Sequence, residues 1–275
     1  MDFFLYEKPL RLTFFFGMFA WMAAWECGLE RKKRVDATFT RWLNNLGLTG
    51  ISTLILQSGL FLLPVAFAYA ARSRGLGIFN QFYGMIWVKW IAAIIILDMI
   101  IYLQHILFHF VPVLWRLHQV HHSDLDLDVS TAIRFHPIEI IISLFIKLTA
   151  VAAFGFPPGA VLTFEILLNA TAMFNHANIY IPAKIDRFIR LFLVTPDMHR
   201  VHHSIIMKES NTNFGFSLSL WDRLCGTYTA QPSAGHDGMT IGLTYAREHK
   251  SFLQLLIMPF KRQEHATHHS IKEDV

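Results

Sequence analysis

From Leu46 to Ala71 the chain runs for twenty-six residues without an Asp, Glu, Lys or Arg. A helix needs about 20 apolar residues to cross the hydrocarbon of a bilayer, so this run alone points to lipid as part of the solvent. The remaining sequence agrees. Of its 275 residues 53% are hydrophobic and the mean hydropathy is +0.38, which leaves too little polar surface to cover a water-soluble globule of that size. Charged residues make up 16% and bunch between apolar runs, the distribution expected when spans alternate with wet loops.

A first span is expected from Leu10 to about Trp25. Its charges, Arg31 to Arg34, follow the apolar run instead of preceding it, which is the reverse of a cleaved secretory signal. A third span runs from about Phe82 to Gln104 and contains Lys89 and Asp98. Two shorter apolar stretches, Ile138 to Phe154 and Gly159 to Asn175, are separated by Phe156, Pro157, Pro158 and Gly159, which break helices and turn the chain. They predict a helical hairpin, spanning or re-entrant, interrupted by Lys147 and Glu165. The expected fold class is therefore all-α: an integral membrane helical bundle of about three spans plus a hairpin, with a cytosolic histidine-rich helical cap. With Arg31 to Arg34 held in the cytoplasm, the crossings place residues 28–45, 105–136 and everything after 176 on the cytoplasmic side, and with them every histidine. The net charge of +4 suits an anionic lipid surface, and no basic stripe suggests a nucleic-acid track. Two cysteines, Cys27 and Cys225, are too few for a disulfide scaffold or an iron–sulfur cluster.

Fifteen histidines are the compositional oddity, and most fall between residues 105 and 203. His105 and His109 stand four apart at the end of the third span and share a helix face. His118, His121 and His122 form HxxHH, and His199, His202 and His203 form it again; each motif is expected to present three imidazoles to a common point. His136, before Pro137, and His176, after the returning helix, stand where the chain meets the membrane and are candidates to complete a coordination sphere. His236 and His249 read as surface residues, and His265, His268 and His269 as part of a fraying polar tail. Asp98 and Tyr102 extend the His105 face back into the span, and an ionisable group at that depth is by default functional. About 10 Å below His105 along the helix, Asp98 is expected to orient a histidine of another segment.

Imidazole suits zinc, copper, iron and nickel alike. Ten candidate ligands exceed a closed zinc site and fit two ions of higher coordination number. The HExxH carboxylate of a hydrolytic zinc centre and the Glu-x-x-His pairs of soluble di-iron bundles are both absent. A metal transporter would place its ligands at the bilayer midplane, whereas these gather at one face; a metal-stabilised scaffold without catalysis is the other alternative.

At these residues the sequence resembles the fatty acid hydroxylase and sterol desaturase superfamily of membrane enzymes. The resemblance rests on Asp98, Tyr102, His105 and His109; on His118, His121 and His122; and on Phe135, His136, Pro137, Ile138 and Glu139. It continues through Asn175, His176, Ala177 and Asn178, then Asp197, His199, His202 and His203, and ends with Asn213, Gly215, Trp221, Asp222, Arg223, Gly226 and Thr227. Tyr180 stands where some fatty acid hydroxylases of the family have a further histidine. The expected division is N-terminal membrane spans over residues 1–97, which carry no family signature, a fatty acid hydroxylase-like catalytic domain over 98–229 and a polar C-terminal segment over 230–275. The resemblance implies two iron ions, replaceable by zinc, with dioxygen as co-substrate and a lipid that is hydroxylated or desaturated. Asp98, Tyr102 and Asn178 take catalytic roles beside the ten histidines in this reading, while Trp221, Asp222 and Arg223 pack the cap. No fused cytochrome or ferredoxin motif is visible, so a separate electron donor is expected: a cytochrome b5-like protein, a ferredoxin or a reductase. The expected location is a multi-pass position in a bacterial inner membrane or a eukaryotic endoplasmic reticulum, with the active site on the cytoplasmic face.

Overall fold

The computed structural model describes residues 3–35, 37–58 and 63–261, and every regular element among them is helical. In chain order these are α1 (Phe3–Gly28), α2 (Thr38–Gln57), α3 (Pro64–Ser73), α4 (Ile78–Gln81), α5 (Ile86–Phe110), α6 (Pro112–His122), α7 (Pro137–Phe154) and α8 (Pro158–His176). The shorter α9 (Ala183–Ile189), α10 (Pro196–His202), α11 (Met207–Ser210), α12 (Leu220–Leu224), α13 (Gly235–Gly238) and α14 (Phe252–Ile257) follow. Five of the starts, α3, α6, α7, α8 and α10, carry Pro in the first turn, where its missing N–H costs nothing and its fixed φ suits the helix.

The uncharged run at 46–71 is not a single helix. It is shared between the end of α2 and most of α3, and Pro64 explains the division: a proline inside a helix removes one hydrogen bond and clashes with the preceding turn. The third predicted span is α5, which continues past Gln104 through His105 and His109 to Phe110. Helices α5 and α7 are long and apolar enough to cross a membrane. Trp87, Ile91, Leu107 and Phe110 on α5 and Phe145 on α7 stand exposed, as do Phe14, Phe16 and Trp21 on α1; an apolar surface that extensive marks contact with lipid or protein.

The expected break between α7 and α8 occurs at Gly155, whose left-handed φ of 65° caps α7 through its N–H to Val151 O, 2.8 Å away. A Cβ on Gly77 would lie 2.2 Å from Gly155 N, so the two backbones meet at a place only glycine allows. The two helices are nevertheless splayed, not packed as a closed hairpin. Helices α3 and α5 each touch both of them, and Val65, Leu97, Ile101, Val151, Val161 and Phe164 fill the joint core.

The segments around the loop after α6 are held by buried charge. Arg41, 1% exposed, forks onto Asp124 at 2.8 and 3.0 Å and reaches Asp128 at 2.7 Å, fastening the loop after α6 to α2. Glu26 at the end of α1 accepts from Val129 N and Asn178 N. Arg134 binds Val120 O, Asn45 Oδ1 and Ser123 Oγ. Removing one partner from such a buried pair typically costs about 3–5 kcal/mol, so this irregular stretch is as firmly placed as a helix.

Candidate metal centre

Nine histidines converge where α5, α6, α8 and α10 meet. They form two groups: His105, His109, His118, His122 and His202; and His121, His176, His199 and His203. Within each group the candidate ligand atoms lie within 4.8 Å of one another. Each HxxHH motif is thus divided instead of aimed at one point. Successive helical residues diverge by about 100°, whereas i and i+4 differ by about 40°. His118 and His122 therefore stay together and His121 turns to the other group, while His199 and His203 stay together and His202 turns away. The motifs exchange one member each, which makes the groups neighbours: the rings of His122 and His203 stack with centroids 4.5 Å apart.

Ring nitrogen geometry fits a shared cation. His105 and His118 bring their Nε2 atoms to 3.1 Å, His109 and His122 to 3.1 Å, His121 and His176 to 3.1 Å, and His199 and His176 to 3.0 Å. Two nitrogens about 2.1 Å from one ion lie about 3.0 Å apart at a right angle and about 3.4 Å apart at the tetrahedral angle, so the spacing favours five or six ligands over four. The opposite ring nitrogens say which atoms are bare. His105 Nδ1 donates to Phe214 O at 2.7 Å, His202 Nδ1 to Thr212 O at 2.8 Å and His176 Nδ1 to Ala172 O at 2.7 Å. His118 Nδ1 donates to Glu139 Oε1 at 2.7 Å, and His109 Nδ1 lies 3.2 Å from Asn211 Oδ1. A neutral imidazole has one N–H, so the Nε2 atoms of His105 and His118 present lone pairs to each other, which is repulsive unless a cation sits between them. His202 Nε2 and both nitrogens of His203 are buried without a partner. Burial holds His121, His122, His199, His202 and His203 well below the usual imidazole range, and His118 at about 3. Neutral rings are the ligand form.

Several expected residues stand elsewhere. His136 is outside both groups: its Nδ1 accepts from Ile138 N and its Nε2 meets Leu256 O at 3.1 Å, because a histidine before Pro137 occupies the N-cap of α7. Asp98 orients no histidine. It accepts from Trp221 Nε1 at 2.8 Å and Leu218 N at 3.2 Å, since the loop before α12 folds down onto its face of α5. Tyr102 Oη pairs with Thr227 Oγ1 at 2.9 Å. Asn178 exchanges hydrogen bonds with the Lys32 backbone, tying the segment after α8 to that after α1. None of the three hydrogen-bonds to any of the nine rings. Asp222, as expected of packing, receives Phe214 N, Gly215 N and Thr227 Oγ1, and Asn213 holds its turn with a φ of 54°. His236 is buried, 3.7 Å from Asp197, and not a surface residue. His265, His268 and His269 lie outside the described residues.

Glu139 is the important residue that sequence reasoning passed over. An acid in the first turn of a helix normally reads as a dipole partner, and only its place in the Phe135–Glu139 run hinted otherwise. The carbonyls of Thr212 and Phe214 have no side-chain signature at all. A cavity of about 260 Å³ opens against His105, His118 and Glu139 and runs between the splayed α7 and α8, walled by Phe15, Leu56, Phe108, Ile133 and Phe216. Its far end carries Lys147, Glu165 and Arg11, joined at 2.9 and 2.6 Å.

Comparison with known proteins bears on this arrangement. The family model for fatty acid hydroxylases matches residues 90–227. An ornithine lipid hydroxylase of Rhizobium tropici is 31% identical over 174 residues, covering 63% of this chain and 50% of that protein. Human alkylglycerol monooxygenase is 31% identical over 159 residues, 57% of this chain and 33% of its own length. Human cholesterol 25-hydroxylase is 25% identical over 210 residues, 75% of each chain. The chain therefore spans half or less of the first two relatives. No solved structure matches it.

Proposed function

Since the chain belongs to the fatty acid hydroxylase family, we propose that it is a membrane-bound oxidoreductase that hydroxylates a lipid, with nine histidines holding two iron ions. The observation that carries this reading is the cavity: largely apolar, it ends on the rings of His105 and His118 and is walled in part by α5 and α7, the two helices long and apolar enough to cross a bilayer. From Glu139 to Lys147 is about 12 Å of helix, long enough for an extended hydrocarbon segment. All three relatives described above are named as hydroxylases or monooxygenases, which favours hydroxylation over desaturation.

The overall change would be R–H + O2 + 2 electrons + 2 H⁺ giving R–OH + H2O. Iron, when bound by these imidazoles, supplies the activation of dioxygen; zinc can occupy the same ligands without that redox capacity. The chain's own residues do the positioning. Glu139 and the Phe214 carbonyl keep the Nδ1 protons on His118 and His105, so that the Nε2 lone pairs face inward. Phe108 and Phe216 line the cavity beside those two rings and exclude water from the reacting end. The lipid enters from the membrane, the protein is multi-pass with its centre at the cytoplasmic face, and the two electrons come from a separate donor: a cytochrome b5-like protein, a ferredoxin or a reductase.

The test is direct. Full-length protein loaded with iron(II) in membranes, given a total lipid extract, dioxygen and a chemical reductant, is expected to add one oxygen atom to a lipid species, with label from 18O2 in the product. Unchanged lipids from protein shown to contain about two irons per chain would overturn the assignment.

A further inference from the structure

A second cavity, about 250 Å³, lies on the cap beside the centre, lined by Lys32, Arg200, Arg247 and Asp126 with walls from Leu125, Leu127, Met239 and Ile241. Three of its lining side chains are cationic and one is acidic, and the acid is engaged: both oxygens of Asp126 accept from Val35 N, at 3.0 and 2.9 Å. Lys32 Nζ and Arg247 Nη1 rest on the carbonyls of Met239 and Ile241. Among the described residues neither has a carboxylate within ion-pair distance.

Arg200 is the informative member. It is 1% exposed, the same burial as Arg41, yet the two are satisfied very differently. Arg41 has two carboxylates, a carbonyl and a hydroxyl around its fork. Arg200 has one hydrogen bond, Nη2 to Asn178 Oδ1 at 3.3 Å, with Asp197 at 3.6 Å and its Nε unpartnered. A guanidinium has five N–H donors, and leaving them unmet out of water is costly. A buried fork whose nearest carboxylate, Asp197, stands 3.6 Å away and is shared with Arg31, facing a cavity with two more cations and some apolar wall, suits an oxyanion.

We propose that this cavity binds a phosphate group, with Arg200 at its floor and Lys32 and Arg247 at its rim. The phosphate belongs either to a soluble phosphate or to the head of an anionic phospholipid. Arg200 lies between His199 and His202 on α10, so the ligand would brace the short helix that supplies three rings to the centre.

Full-length protein in detergent micelles is titrated with inorganic phosphate at constant ionic strength, and thermal unfolding is followed. A saturable rise in Tm is expected in the wild type. Lys32→Gln and Arg247→Gln, both at the rim, should each weaken the phosphate dependence at least tenfold while metal content and the Tm without phosphate stay as in the wild type. Absence of a saturable rise, or the same rise in both variants, overturns the proposal. Nanodiscs of phosphatidylcholine with and without phosphatidic acid separate the sources. Extra stabilisation by phosphatidic acid that both variants lose identifies a lipid head, and phosphate binding in micelles without that extra identifies a soluble anion.

Discussion

The two histidine groups are alike in size and differ in how the protein holds them. In the five-histidine group, His105, His109, His118 and His202 each have the ring nitrogen opposite the centre engaged, by Phe214 O, Asn211 Oδ1, Glu139 and Thr212 O. In the four-histidine group only His176 is braced, by Ala172 O, while Nδ1 of His121, His199 and His203 is buried without a partner. The braced group also faces the largely apolar cavity. Rings aimed by hydrogen bonds are ready before an ion arrives, whereas rings placed by packing alone depend on the ion to complete them. The group next to the cavity is the preorganised one.

The largest expected effect comes from removing a ring in the weaker group. His121→Ala should abolish turnover and lower metal content from about two ions per chain to about one, measured by elemental analysis of protein prepared without chelator. Retention of both ions would make the groups a single site. Acid should then expose the same asymmetry. The folded pKa values of these buried rings are depressed, so the unfolded state, with imidazoles near 6.5, takes up protons first. Stability is complete above that value and falls progressively below it, toward the folded value of about 3 for His118. Dialysis at decreasing pH is expected to release metal in two steps, the four-histidine group first; a single step would show that bracing does not matter.

Glu139→Gln keeps a hydrogen-bond acceptor for His118 but replaces the carboxyl group, and outer partners of this kind commonly contribute about 10- to 100-fold in activity or affinity. Turnover should fall in that range while metal content under saturating iron changes little. Asp98→Asn touches neither group. Because Asp98 receives the Trp221 indole and the Leu218 amide, its cost should appear as about 1.5–3 kcal/mol of stability with metal content intact; metal loss matching that of Glu139→Gln would restore Asp98 to the centre. The smallest effect is expected from Phe135→Leu. Phe135 stacks on His121 with centroids 4.5 Å apart and planes 9° apart, a contact that contributes about 0.5–1.5 kcal/mol and is the nearest thing that ring has to a brace.

What the sequence disclosed follows the same divide. Nine of ten predicted ligand rings come together in the structure because a ring's identity and its helical spacing are both written locally: His105 with His109, His118 with His122, His199 with His203. The division of each motif was also latent in the spacing, since neighbours 121 and 122 cannot share a direction on a helix. His136 misled because a capping role and a ligating role look the same beside a proline. Asp98 misled because its partners, Trp221 and Leu218, are more than a hundred residues away and the register of that return could not be read from either end. The carbonyls of Thr212 and Phe214 were invisible for a deeper reason: every residue has one. Among the spans, hydropathy alone found α5 and α7 but could not weigh Pro64 against twenty-six uncharged residues.

The anchoring loop has a consequence for biogenesis. Residues 211–214 supply three of the four braces of the preorganised group, and they are fixed in turn by Asp222 and Thr227, the last family-matched positions of the chain. During synthesis His105 and His109 therefore emerge more than a hundred residues before Phe214 O and Asn211 Oδ1, the oxygens that engage their Nδ1 atoms. The ribosome adds about 5–20 residues per second, so several seconds at least pass in which bare imidazoles at the membrane surface meet whatever metal is free. On the proposed reading, metal retention is thus completed late, by a segment that contributes no ligand, and truncation before Asp222 should lower the metal content of the chain.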